Sequence, residues 1–142
     1  MYRFQVTIHA RPAEVTPGPT ISLGGQTVAT VNVDPTALRV PCACSFEEAA
    51  DALSHLPRMY CEPDGSFVWV SPYGQSGWQV DGNLYDRDGR LLFVDLKGSC
   101  PAESFDELLR ALGWPTTPLL FQLVREAVFV EEPEFRRLAS AK

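Results

Sequence analysis

No stretch of the 142-residue sequence is apolar for anything near the ~18 residues of a membrane-spanning helix. The opening MYRFQVTIHA alternates in polarity and forms no apolar signal core. A cytoplasmic location is therefore expected, and with it reduced rather than bridged cysteines. Basic residues are scarce, with 12 Lys and Arg against 18 Asp and Glu and a formal net charge of −6. Arg136–Arg137 is the one adjacent basic pair, and no basic stripe exists. Nucleic-acid binding draws its affinity from phosphate neutralisation, so this balance argues against it. It argues equally against an anionic membrane surface. The glycine patterns of phosphate loops are missing, and GQSGW is not a G-x-S-x-G nucleophile elbow. Histidine is limited to His9 and His55, neither of them in an H-E-x-x-H or H-x-x-x-H pair. No metal site and no cofactor are expected, and no catalytic constellation is visible.

What is present has the pattern of a globular chain. The length suits a single domain spanning residues 1–142, and the 45% hydrophobic share is ordinary for one. Tyr2, Phe4, Val6 and Ile8 alternate with Arg3, Gln5 and Thr7, the pattern of a half-buried strand. RPAEVTPGPT reads as a loop, and a second strand follows Gly24–Gly25. Ser45 with Glu48 forms a capping box, and Phe46, Ala49, Ala50, Leu53 and Leu56 share one helical face that Pro57 ends. RMYCE and SFVWVS flank PDG, and WQVDGNLYD and RLLFVDL flank DRDG, which gives two hairpins. Ser104 with Glu107 marks a second helix with Phe105, Leu108, Leu109 and Leu112 on its face. In the tail, Val128–Val130 suggests a strand and Pro133 the first turn of a last helix. The expected fold is α+β, a largely antiparallel sheet of about five to seven strands with two amphipathic helices packed on one face. SFEEAADAL and SFDELLRAL match in their apolar positions, which raises an internal strand–helix–strand pseudo-repeat. Convergence on a capped amphipathic helix accounts for most of the identities without one.

The four cysteines are Cys42, Cys44, Cys61 and Cys100. Structural zinc usually takes C-x₂₋₄-C pairs, and C-x-C is tighter than that knuckle. Helix N-termini lower thiol pKa values, and Cys42 and Cys100 each precede a helix. These two are the candidate thiol site. The competing reading is packing, with Cys44 as a hydrophobic staple opposite Ala49.

Asp81, Asn83, Asp86 and Asp88 are close in sequence but fail the positional requirements of a calcium loop. DRDG is better explained as turn chemistry. Tyr73 and Trp78 lie in the Gly/Ser/Pro segment SPYGQSGWQ, with Tyr85 nearby. Loop aromatics commonly serve binding, and the competing reading is a tryptophan tucked over the core. The first expectation is therefore a non-enzymatic protein-interaction module, engaging a protein partner or itself as a homodimer, with Tyr73, Trp78 and Tyr85 as its candidate binding residues. The alternatives are the thiol or metal site and a small-molecule pocket between sheet and helices.

Overall fold

The computed structural model describes residues 1–74 and 77–141. Its strands are β1 (Tyr2–Ala10), β2 (Thr16–Leu23), β3 (Gln26–Asn32), β4 (Met59–Cys61), β5 (Ser66–Val70), β6 (Gln79–Arg87), β7 (Arg90–Cys100), β8 (Leu119–Leu123) and β9 (Val128–Glu131). Its helices are α1 (Phe46–Ser54), α2 (Ala102–Ala111) and α3 (Glu132–Ser140), with a short 3-10 helix at Pro35–Arg39. The nine strands form one sheet in the order β2-β3-β9-β8-β1-β7-β6-β5-β4, antiparallel throughout. The fold is α+β, as the alternation and hairpin signals predict.

The additional strands come from segments whose composition hides them. Thr16–Leu23 contains Pro17 and Pro19, yet forms β2 rather than loop. It is the outermost strand, where a missing N–H costs no ladder bond, and its register with β3 shifts between Pro17 and Thr20. Gly24 and Gly25, at φ 54° and 80°, supply the tight turn between them. In the tail, β8 is added to the strand expected at Val128–Val130, which forms β9, and the two fill the gap between β3 and β1.

The centre of the sheet is β1 against β7, in register from Tyr2–Cys100 to His9–Phe93. Side chains alternate along each strand, so Val6, Ile8, Val94, Leu96, Phe121 and Val130 share the face that carries the helices. Ala49 and Leu53 of α1, Phe105, Leu108 and Leu109 of α2, and Phe135 and Leu138 of α3 complete one apolar cluster with them. Phe121 and Phe135 stack at 4.6 Å, and Phe4 meets Phe105 edge-on at 5.1 Å. Gly82 lies under the Phe67 ring, where a Cβ would overlap it. Opposite Tyr85, β7 bulges, since Tyr85 pairs with Phe93 but Asp86 pairs with Leu91. The extra residue returns Leu91 to full burial.

The α1 capping box forms as the sequence predicts. Ser45 Oγ accepts from Glu48 N at 3.0 Å, and Glu48 Oε1 accepts from Ser45 N at 2.9 Å. In α2 it does not form. The N-cap is Pro101, the helix begins at Ala102, and Ser104 lies inside its first turn. β7 stays paired with β1 through Cys100, and Pro101, with fixed φ and no N–H, marks the boundary three residues earlier than Ser104. The two helices are similar in sequence but are entered differently, α2 straight from β7 and α1 through an excursion from β3. The pseudo-repeat is not established by the topology.

Arg136 joins α3 to the rest. Its guanidinium pairs with Asp106 at 2.7 Å and Glu132 at 3.0 Å and lies over the rings of Trp114 and Phe105.

Candidate functional site

Tyr73, Trp78 and Tyr85 occupy three different environments. Tyr73 is 86% exposed, with the Arg58 guanidinium 4.1 Å from its ring centre. Gln75 and Ser76, in the middle of the same expected loop, lie outside the described residues. Trp78 is 5% exposed and belongs to the core cluster. Tyr85 is 38% exposed and stands on the opposite face of the sheet, stacked on Phe93 at 4.5 Å. The structure does not bring the three together.

The cysteines are likewise apart. The C-A-C segment runs beside the start of β7, with Cys42 N–H donating to Leu91 O at 2.7 Å and Leu91 N–H to Cys44 O at 3.2 Å. In this strand-like pairing the two-residue period sends Cys42 and Cys44 to the core side and leaves Ala43 exposed. The C-x-C spacing is thus a strand period. Cys100 ends β7, nine residues further on, or roughly 30 Å at ~3.4 Å per residue. Both Cys42 and Cys100 are buried. Burial pushes the Cys42 thiol up to about 11 and the Cys100 thiol up to about 12. Among the described residues, no three His, Cys, Asp or Glu side chains converge as a metal site, and no helix is long and apolar enough to cross a membrane.

A different constellation emerges on the sheet face away from the helices. Strand register places Asn83, Asp95, Thr7 and Gln122 in one row across β6, β7, β1 and β8. Asp81, Lys97 and Gln5 form the next row. Thr7 Oγ1 donates to Asp95 Oδ1 at 2.6 Å. Asn83 Oδ1 is buried without a partner. These residues, Gln122 excepted, and Val124 line a trough of about 330 Å³.

Beside the trough runs a line of rings. Tyr85 stacks on Phe93, His9 lies 5.7 Å from Phe93, and Phe129 lies 5.8 Å from His9. His9 is buried, and its Nε2 is 3.1 Å from Gln122 Oε1. With that carbonyl as acceptor, Nε2 carries the proton and Nδ1 holds a lone pair that is buried without a partner. Burial lowers the His9 pKa, against smaller upward effects from the Gln122 hydrogen bond and the Asp95 charge. The imidazole is therefore neutral at neutral pH.

Of the seven exposed large hydrophobic side chains among the described residues, four belong to this face: Tyr60, Val68, Tyr85 and Val124. Register fixes Tyr60 and Val68, since Tyr60 pairs with Val68 and Val68 with Asp81. The helix-free face is where apolar surface meets solvent, and it also carries the polar trough. Sequence alternation already assigns Thr7 to the polar side of β1 and Asp95 and Phe93 to one side of β7. It cannot assign them to one site, because the contacts join residues 88 and 113 positions apart.

No protein-family model, curated protein or solved structure matches the chain.

Proposed function

We propose that this chain is a non-enzymatic binding module that self-associates through the helix-free face of its sheet. The observation that carries the proposal is the concentration of exposed Tyr60, Val68, Tyr85 and Val124 on that one face. Tyr60 and Val68 are neighbours, Tyr85 and Val124 stand across the polar rows from them, and exposed apolar side chains collected on one face rimmed by polar residues mark an interaction site. The occupant follows from the charges beside it. Lys97 lies between Asp81 on β6 and Gln5 on β1, one row from Asp95, and none of the three charges forms an ion pair among the described residues. A twofold interface sets each patch against its own copy, and a lysine beside two aspartates complements itself under that operation. The chain's charge of −6 opposes random approach of two copies, so association depends on this local match.

The thiol alternative is less well supported, because Cys42 and Cys100 are buried, distant from each other and held as thiols. Analytical ultracentrifugation tests the main proposal. The 15.7 kDa chain should sediment at twice its mass with rising concentration. Val68→Lys combined with Tyr85→Lys should sediment as a monomer while keeping the wild-type circular-dichroism spectrum. A wild-type monomer at every concentration overturns self-association.

A further inference from the structure

A second cavity adjoins the trough at the open end of β1, with Gln5 in the lining of both, and its origin can be traced strand by strand. The β2–β3 hairpin is joined to β9 through a single paired position, Val31 with Phe129. Further along β3 its partners are side chains of α3. Ala29 N–H donates to Glu134 Oε2 at 2.7 Å, and Arg137 donates to Gln26 Oε1 at 3.0 Å and Thr27 O at 2.8 Å. Side-chain tethers keep the hairpin turn clear of the sheet end. The result is a cavity of about 340 Å³ bounded by the Leu23–Gln26 turn, the last turns of α3, and the ends of β1 and β8.

Its apolar lining is Phe4 and Leu123 from the sheet, Phe135, Leu138 and Ala139 from α3, and Leu23 from the turn, with Gln5 and Gln26 adding uncharged polar groups. The charged lining is Arg3, Arg125 and Glu126. Both arginines are exposed. Among the described residues, neither makes a side-chain hydrogen bond or ion pair, whereas Arg11, Arg136 and Arg137 are all paired with carboxylates. In a chain of net charge −6, two uncommitted arginines lining a half-apolar cavity form a local reversal of sign. An apolar pocket with a few convergent polar groups is the usual form of a small-molecule site. Guanidinium groups match the planar, bidentate geometry of a carboxylate.

The geometry points to a binding site for a small amphipathic monocarboxylate, its carboxylate held by Arg3 and Arg125 and its hydrocarbon tail between α3 and the sheet. At roughly 30 Å³ per heavy atom, borrowed from the share of a liquid water, the cavity takes a ligand of about ten non-hydrogen atoms. This site shares Gln5 with the trough but none of Tyr60, Val68, Tyr85 and Val124, and its test reads ligand binding and not sedimentation, so either proposal can fail alone.

Isothermal titration with octanoate is the test, with octan-1-ol and acetate as the tail-only and head-only probes. Octanoate should bind saturably at one site per chain with a negative heat-capacity change. Octan-1-ol and acetate should each bind at least tenfold more weakly. Arg3→Gln with Arg125→Gln should weaken octanoate at least tenfold without moving the unfolding midpoint, while Arg39→Gln, an exposed arginine that does not line the cavity, should leave it unchanged. Absence of saturable octanoate binding overturns the site. Equal binding of octan-1-ol, or equal loss in Arg39→Gln, overturns the role of the two arginines.

Discussion

Trp69 and Trp78 meet edge to face, their ring centres 5.0 Å apart and their planes at 84°. Trp69 anchors the pair, since its Nε1 donates to Pro57 O at 3.0 Å. Trp78 Nε1 is buried with no partner among the described residues. The ring of Trp78 therefore contributes packing, and its polar atom contributes a cost. Trp78→Ala should destabilise the fold by about 3–5 kcal/mol, the range for removing a large buried ring. Trp78→Phe should cost less than about 1.5 kcal/mol, because it keeps most of the volume and removes the unpaired donor. Urea unfolding followed by circular dichroism measures both. Equal losses would mean that the indole nitrogen has a partner after all.

This pair also marks where sequence ceases to be informative. Strand alternation in SFVWVS places Trp69 inside. Trp78 follows a Gly/Ser/Pro segment, which leaves both a binding loop and a ring tucked over the core open, and the β5–β6 pairing of Trp69 with Val80 brings it over its neighbour. The helices and hairpins were legible because caps, turns and periodicity are local. β2 was hidden by its prolines, which an outermost strand tolerates. The open-face trough was legible residue by residue but not as a site, since Thr7 meets Asp95 only through the β1–β7 register.

The two similar helix starts should respond differently to the same substitution. Ser45→Ala removes an observed cap, with its hydroxyl bonded to Glu48 N, and should cost about 1 kcal/mol. Ser104→Ala replaces a residue inside the first turn, where Pro101 is the N-cap, and alanine is the better helix former there. Its midpoint in urea should be unchanged or higher. Matching losses would restore Ser104 as the cap.

Cysteine labelling should follow burial and not proximity to a helix. Cys61 is exposed, Cys44 is half-buried, and Cys42 and Cys100 are buried. With a thiol reagent near neutral pH, Cys61 should react first, and Cys42 and Cys100 only as fast as the protein opens. The same burial gives an alkaline signature. Both thiols start from 9.0, and the fold raises them to about 11 and about 12. Between those limits the unfolded chain loses protons that the native one keeps, so stability should fall as pH rises above 9. Fast labelling of Cys42 or Cys100 in the native state would contradict both expectations.

On the acid side the responsible group is His9. The fold lowers its pKa below the ordinary 6.5, chiefly through burial, although the Gln122 hydrogen bond and the Asp95 charge act upward. Its other near neighbours are the rings of Phe93 and Phe129, which offer an imidazolium no formal counter-charge. Below pH 6.5 the unfolded chain takes up a proton that the native imidazole resists. Its stabilising contribution is therefore complete above 6.5 and is lost as pH falls through the lowered native value. His9→Phe keeps a ring between Phe93 and Phe129 and removes the titrating group. Half-exposed Gln122 can turn its amide to water. Urea midpoints taken from pH 7.5 down to 5 should fall in the wild type and stay flatter in His9→Phe. Parallel slopes would show that His9 does not carry the acid sensitivity.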